Sequence, residues 1–124
     1  MARGDILIAE DDPILRNLYI KKFTLNAYEV RTAEDGEEAI RQIVAKPPEM
    51  LLCDLNMPKV NGMQVLQQFP RNRRTFPIII LTNYGDEKTR NTALELGADG
   101  YFVKKDMTIK SLVEMVEKLM MFKR

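Results

Sequence analysis

The chain has 124 residues, 45% hydrophobic and 30% charged, with a formal net charge of +1, which is the composition of one globular domain and excludes disorder, coiled coil and the basic field of a nucleic-acid binder. A single cysteine, Cys53, and no histidine exclude an internal disulfide, the common zinc sites and every histidine-dependent triad. The longest apolar run, Ile78 to Leu81, is far short of the about 20 residues a membrane-spanning helix needs, and the acidic Glu10-Asp11-Asp12 so close to the N-terminus does not read as a secretory leader, so a cytosolic protein is expected.

In chain order, Ile6-Leu7-Ile8-Ala9 is a short run of almost wholly apolar residues, the signature of a strand buried on both faces. Helical spacing follows from Ile14 to Phe23, with Asp12-Pro13 as N-cap and first helical residue. Val30 to Ala33 is a weaker strand, Glu37 to Val44 a helix stopped by Pro47-Pro48, and Met50-Leu51-Leu52-Cys53 a third strand. Met63 to Phe69 is a short helix, Ile78 to Leu81 the fourth strand, and Lys88 to Leu96 a helix closed by Gly97. Tyr101 to Val103 is the fifth strand, and Ile109 to Met121, capped by Thr108, the last helix. Five strand-helix units with short connections predict one α/β domain over residues 1–124, a doubly wound parallel sheet between two layers of helices.

In open parallel sheets, function gathers beyond the carboxyl ends of the strands. Glu10 and Asp11 follow the first strand, Asp54 the third, Thr82 the fourth and Lys104 the fifth. Three carboxylates brought together repel, and a divalent cation relieves them. Mg²⁺ suits such a site because it binds few protein oxygens, keeps waters and bridges to phosphoryl groups. Lys104 and Thr82 then suit a phosphoryl dianion, and Asp54 is placed to accept one as an aspartyl phosphate.

The pieces Ile6–Pro13 (ending Glu10-Asp11-Asp12-Pro13), Leu51–Pro58 (containing Asp54-Leu55-Asn56-Met57-Pro58), Asn61-Gly62-Met63, Ile80-Leu81-Thr82, Gly97–Tyr101 and Val103-Lys104 are each weak alone. In this order and spacing, over essentially the whole chain, the sequence resembles the receiver domain of two-component response regulators. The resemblance implies the strand order 2-1-3-4-5 with five helices. It implies phosphoryl transfer to Asp54 from a phosphohistidine on a sensor histidine kinase or phosphotransfer protein, the donor arriving in trans. Mg²⁺ would be held by Asp11, Asp54 and the Asn56 carbonyl, with Glu10 acting through a water. Lys104 would pair with Asp54 at rest and with the phosphate afterwards. Thr82 and Tyr101 would switch together and reshape the face of helix 4, strand 5 and helix 5, which would meet an effector or a second copy. Asn56 and Tyr84 occupy positions that tune phosphate lifetime in the family, and Tyr84 is expected to shield the phosphate.

Two residues depart from the family pattern: Lys105 stands where proline usually follows the lysine, and Asn83 where a small residue is common. They leave a phosphorylation-independent interaction module as an alternative. A Mg²⁺-dependent phosphatase is a weaker one, because Asn56 stands where such enzymes carry a second acid-base Asp. A flavin carrier is opposed by the acids after the first strand, which would repel its phosphate. Elsewhere, Asp12 reads as a cap rather than a ligand, Cys53 as core, and Arg71-Asn72-Arg73-Arg74 as a solubilising loop. Ile14, Leu15 and Leu18, beside the acidic pair, are candidates for receiving the kinase's helical domain. Ile109, Val113 and Met120 widen the last helix's apolar arc and suggest a partner surface.

Overall fold

The computed structural model describes residues 3–83 and 85–122. The strands are β1 Asp5–Ala9, β2 Glu29–Ala33, β3 Met50–Asp54, β4 Ile78–Thr82 and β5 Gly100–Val103. They alternate with α1 Pro13–Leu25, α2 Gly36–Ala45, α3 Gly62–Gln68, α4 Glu87–Glu95 and α5 Ile109–Phe122. All pairings are parallel, in the order β2-β1-β3-β4-β5. The three central strands are buried along their whole length, which is why most of each is an unbroken apolar run, whereas the edge strands β2 and β5 are only partly buried.

Strand alternation divides the core in two. Ile6, Ile8, Leu52, Ile79 and Leu81 pack with Tyr19 and Phe23 of α1 and Leu112 and Val116 of α5. Leu7, Ala9, Leu51, Cys53, Ile78 and Ile80 face the other way, onto Ala39 and Ile43 of α2, Val65 and Leu66 of α3 and Ala93 of α4. Cys53 therefore points away from its neighbour Asp54, as alternation requires. Register then sets the functional edge: Ala9 lies beside Cys53, Asp54 beside Leu81 and Thr82 beside Val103. Glu10, Asp54, Thr82 and Lys104 are thus delivered to one end of the sheet.

Side-chain caps fix where the helices begin. The carboxylate of Asp12 accepts from the Ile14 N–H at 2.9 Å, and Asp35 and Asp86 accept from the N–H groups of Glu38 and Thr89. Asn61 and Gln64 form a reciprocal capping box at 2.9 Å in both directions, and the Thr108 hydroxyl accepts from Ser111 N at 3.0 Å. Gly97, at φ +106°, ends α4 while Ala98 N donates to Ala93 O and Gly97 N to Leu94 O, a turn only glycine adopts without strain.

Two expectations are corrected. The arginine segment is not merely a solvated loop: Arg71–Arg73 form a 3-10 turn and the Arg74 side chain is 2% exposed. Its guanidinium donates to the carbonyls of Phe69, Phe76 and Gly97 and pairs with Asp99 at 2.7 Å, while Asp99 also accepts from Ile78 N. Helix ends leave carbonyls without intrahelical partners, and Arg74 satisfies those just beyond α3 and α4. On α5, Val113 is buried, and Ile109 and Met120 pack against the same core, so the wide apolar arc is absorbed by α1 as well as the sheet. Met121 of that helix is 75% exposed.

Breaking a buried ion pair from one side leaves a charge stranded. Asp99→Ala is expected to lower unfolding free energy by about 3 kcal/mol in urea denaturation, whereas Glu37→Gln, which removes the exposed Glu37–Arg41 pair, should change it by under about 0.5 kcal/mol.

Candidate phosphoacceptor and metal site

The site is assembled from strand ends and the turns that follow them. Glu10 is held at the end of β1 by its N–H donating to Ala33 O, and its side chain is fully buried. Asp54, the last residue of β3, is 4% exposed, and Leu55 N donates to Leu81 O just beyond it. Asp11 is exposed, so the cluster has an open side. One carboxylate oxygen from each of Glu10, Asp11 and Asp54 lies within 4.8 Å of the others.

Lys104 opens a 3-10 turn directly after β5, and its Nζ lies 2.8 Å from Glu10 Oε1 and 3.2 Å from Asp54 Oδ2. The expected Lys104–Asp54 pair is present, with Glu10 as the nearer partner. Lys105 in place of proline does not redirect the ammonium, and no peptide bond among the described residues is cis. Burial is the largest influence on Lys104 and lowers its pKa, but the two carboxylates outweigh it and hold the group above its ordinary value.

Glu10 carries the electrostatic strain of the pocket. Burial foremost, then a hydrogen bond with Asp54, pushes its carboxyl up to about 7, with Lys104 opposing. The donor set is all carboxylate oxygen, hard and negatively charged, with an open side at Asp11 for waters or a phosphoryl group. It fits a divalent cation of the Mg²⁺ type.

Thr82 is fully buried at the end of β4 and its side chain is hydrogen-bonded to that of half-buried Tyr101. Burial, foremost, raises the Tyr101 phenol, and the Thr82 bond opposes that shift. The two expected switch residues are therefore in contact. Asn56 is exposed in the loop between β3 and α3. Ile14 is 78% exposed on the first turn of α1 and Leu18 is 37% exposed, whereas Leu15 packs partly against the core. Tyr84, expected to shield the phosphate, lies outside the described residues. Asp12 is a cap.

Sequence reasoning missed two contributors, Arg16 and Tyr19, and read Gly62 only as part of a family motif. Arg16 donates to the carbonyls of Glu10 and Asp11. A cation so near the start of a helix opposes the macrodipole, and that was the available signal. Tyr19, fully buried, has a hydroxyl without a hydrogen-bond partner among the described residues and feels the charges of Lys104, Glu10 and Asp54. Gly62 lies so close to the Asp54 carbonyl that a Cβ would sit 2.7 Å from that oxygen.

The response regulator receiver domain family matches residues 6–117, and the chain belongs to that family. It is 41% identical over 99 residues to the "probable transcriptional regulator ycf27" of Cyanophora paradoxa, covering 80% of this chain and 41% of that protein. It is 34% identical to the "alkaline phosphatase synthesis transcriptional regulatory protein PhoP" of Bacillus subtilis, again over 80% of this chain and 41% of the relative. The chain thus spans about two-fifths of the length of these relatives. Among solved structures, the receiver domain of the Francisella response regulator 1452 superposes with a TM-score of 0.91 at 25% identity, covering 98% of this chain and all of that one. The chain is a receiver domain of two-component signalling, a signalling module on a doubly wound α/β fold. Among the described residues no helix is long and apolar enough to cross a membrane.

A glutamate whose pKa rises from 4.5 to about 7 on folding binds its proton more tightly in the folded than in the unfolded chain. Its stabilising contribution is complete below pH 4.5 and is lost as pH rises through about 7. In EDTA, the unfolding free energy should therefore fall by about 1–3 kcal/mol between pH 5 and 8, measured by urea denaturation. Glu10→Gln should flatten that fall.

Proposed function

We propose that this receiver accepts a phosphoryl group on Asp54 from the phosphohistidine of a sensor histidine kinase or a phosphotransfer protein. An Asp54 carboxylate oxygen attacks phosphorus, forming a P–O bond as the P–N bond to the donor imidazole breaks and its electron pair returns to the ring nitrogen. The observation that carries this reading is Lys104 Nζ, 2.8 Å from Glu10 and 3.2 Å from Asp54 in a pocket shared with Asp11. One cation already bridges two buried acids there and is free to exchange a carboxylate for a phosphoryl oxygen.

Asp11, Asp54 and the Asn56 carbonyl would hold Mg²⁺, with Glu10 reaching it through a water; when bound, the ion supplies positive charge for the transferring phosphoryl oxygens. Lys104 neutralises one of those oxygens, and its two-point contact with Glu10 and Asp54 orients it beforehand. Thr82 leaves Tyr101 to donate to the phosphate, and Tyr101 moves with it. That paired movement alters the face of α4, β5 and α5, where an effector or a second copy docks. Ile14, Leu15 and Leu18, next to the acidic turn, receive the kinase's helical domain. Asn56 and Tyr84 set how long the phosphate persists against hydrolysis. The transcriptional role in the relatives' names belongs to proteins about twice as long. For this chain we carry over the phosphorylation-dependent switch in a cytoplasmic pathway.

Incubation with acetyl phosphate and Mg²⁺ should add about 80 Da in intact-mass spectrometry, as a phosphoryl group does, and beryllofluoride should give one saturable complex. Asp54→Asn should abolish both, and Lys104→Ala should slow phosphorylation by about 100-fold or more, as loss of a preorganised charge does. An unmodified wild-type protein under these conditions would favour a phosphorylation-independent interaction module.

A further inference from the structure

The acidic turn between β1 and α1 needs something to hold it open to a cation, since its own charges drive it apart. The side chain that does so comes from α1. Arg16 Nη1 donates to Glu10 O at 2.9 Å and lies 3.5 Å from Asp11 O, while Nη2 lies 3.6 Å from Glu34 Oε1. The Arg16 side chain is 16% exposed, so these contacts are largely shielded from water.

The two carbonyls belong to the peptide planes on either side of the Asp11 Cα. Peptide units are rigid, so a group that fixes both planes fixes the direction in which the Asp11 side chain leaves the backbone. The same guanidinium ties this turn to the residue following β2, whose Ala33 carbonyl accepts the Glu10 N–H. Glu10 is therefore held through its N–H, its carbonyl and its side chain at once. The Arg16 fork points at backbone oxygens and at Glu34, not at the carboxylates that face the pocket.

We infer that Arg16 is a positioning residue for the metal site, clamping the Glu10-Asp11 turn so that both carboxylates converge with Asp54. This rests on the Mg²⁺ site proposed above. Charge and geometry predict opposite outcomes, which makes the role measurable. If Arg16 acted only as a nearby positive charge, its removal would tighten cation binding, because one repulsive charge would be gone. If it acts as a clamp, removal weakens binding despite that electrostatic gain, as loss of partners that orient metal ligands does.

The test is the affinity of the whole chain for Mn²⁺ alone, followed by the loss of the free-ion EPR signal on titration. Thermal unfolding in EDTA monitors folding separately. Arg16→Ala should bind Mn²⁺ about tenfold more weakly than wild type. Arg16→Lys, which keeps the charge and a single-headed donor, should fall between the two. Glu34→Gln, at the exposed end of the clamp, should change affinity less than about twofold. If Arg16→Ala is poorly folded, the comparison of Arg16→Lys with wild type decides: equal or tighter binding by the lysine variant overturns the clamp. Unchanged or tighter binding by folded Arg16→Ala overturns it likewise. Failure of the wild type itself to bind Mn²⁺ would instead overturn the metal site, and the clamp's purpose with it.

Discussion

The structure depends on one electrostatic constraint: three carboxylates held at most 4.8 Å apart at the end of a buried sheet, with one ammonium among them. At an effective dielectric of about 20, each acid pair at that spacing repels by at least about 3 kcal/mol, and each contact with Lys104 near 3 Å returns about 5–6 kcal/mol. Lys104 thus offsets the mutual repulsion but not the cost of removing the acids from water. The shortfall appears at Glu10, the most buried of the three, whose carboxyl rises to about 7. A pocket in this condition favours an added positive charge, and the proposed Mg²⁺ and phosphoryl chemistry rests on that property.

The rest of the fold keeps those charges from relaxing apart. Parallel register places Asp54 one position beyond Cys53, level with Glu10, and the fully buried central strands leave no slack for either to slide. The turn after β1 is fixed by the Asp12 cap and by Arg16, and the loop after β3 is closed by Gly62 against the Asp54 carbonyl. Far from the site, Arg74 and Asp99 anchor the opposite end of β4. The strain at one edge is supported by rigidity at the other. Thr82 and Tyr101, hydrogen-bonded to each other, link the pocket to the outer edge strand β5.

How much of this is legible without coordinates follows from the kind of signal each feature leaves. Buried central strands leave unbroken apolar runs, so Ile6–Ala9, Met50–Cys53 and Ile78–Leu81 are readable directly, and the residues just after them identify Glu10, Asp54 and Thr82. Strand order is not encoded in any run and comes from family resemblance. The separate roles of Arg16 and Arg74 are hidden because each donates to backbone carbonyls, which carry no residue identity. Arg74 reads as a surface charge among Arg71 and Arg73, yet Asp99, 25 residues later, buries it. Ile109, Val113 and Met120 mislead for a related reason: periodicity reveals an apolar arc but not that α1 covers part of it. Lys105 departs from the family pattern, but Lys104 is aimed by the charges it meets.

The acids of the pocket are held together against their own repulsion, a strain that a bound cation would relieve. The most direct measurement is the unfolding free energy of wild type and Asp54→Asn, each in EDTA and in saturating Mg²⁺. The neutral variant is expected to be the more stable in EDTA, and Mg²⁺ is expected to stabilise wild type enough to remove or reverse the difference. A variant no more stable than wild type in EDTA, with the same response to Mg²⁺, would contradict it.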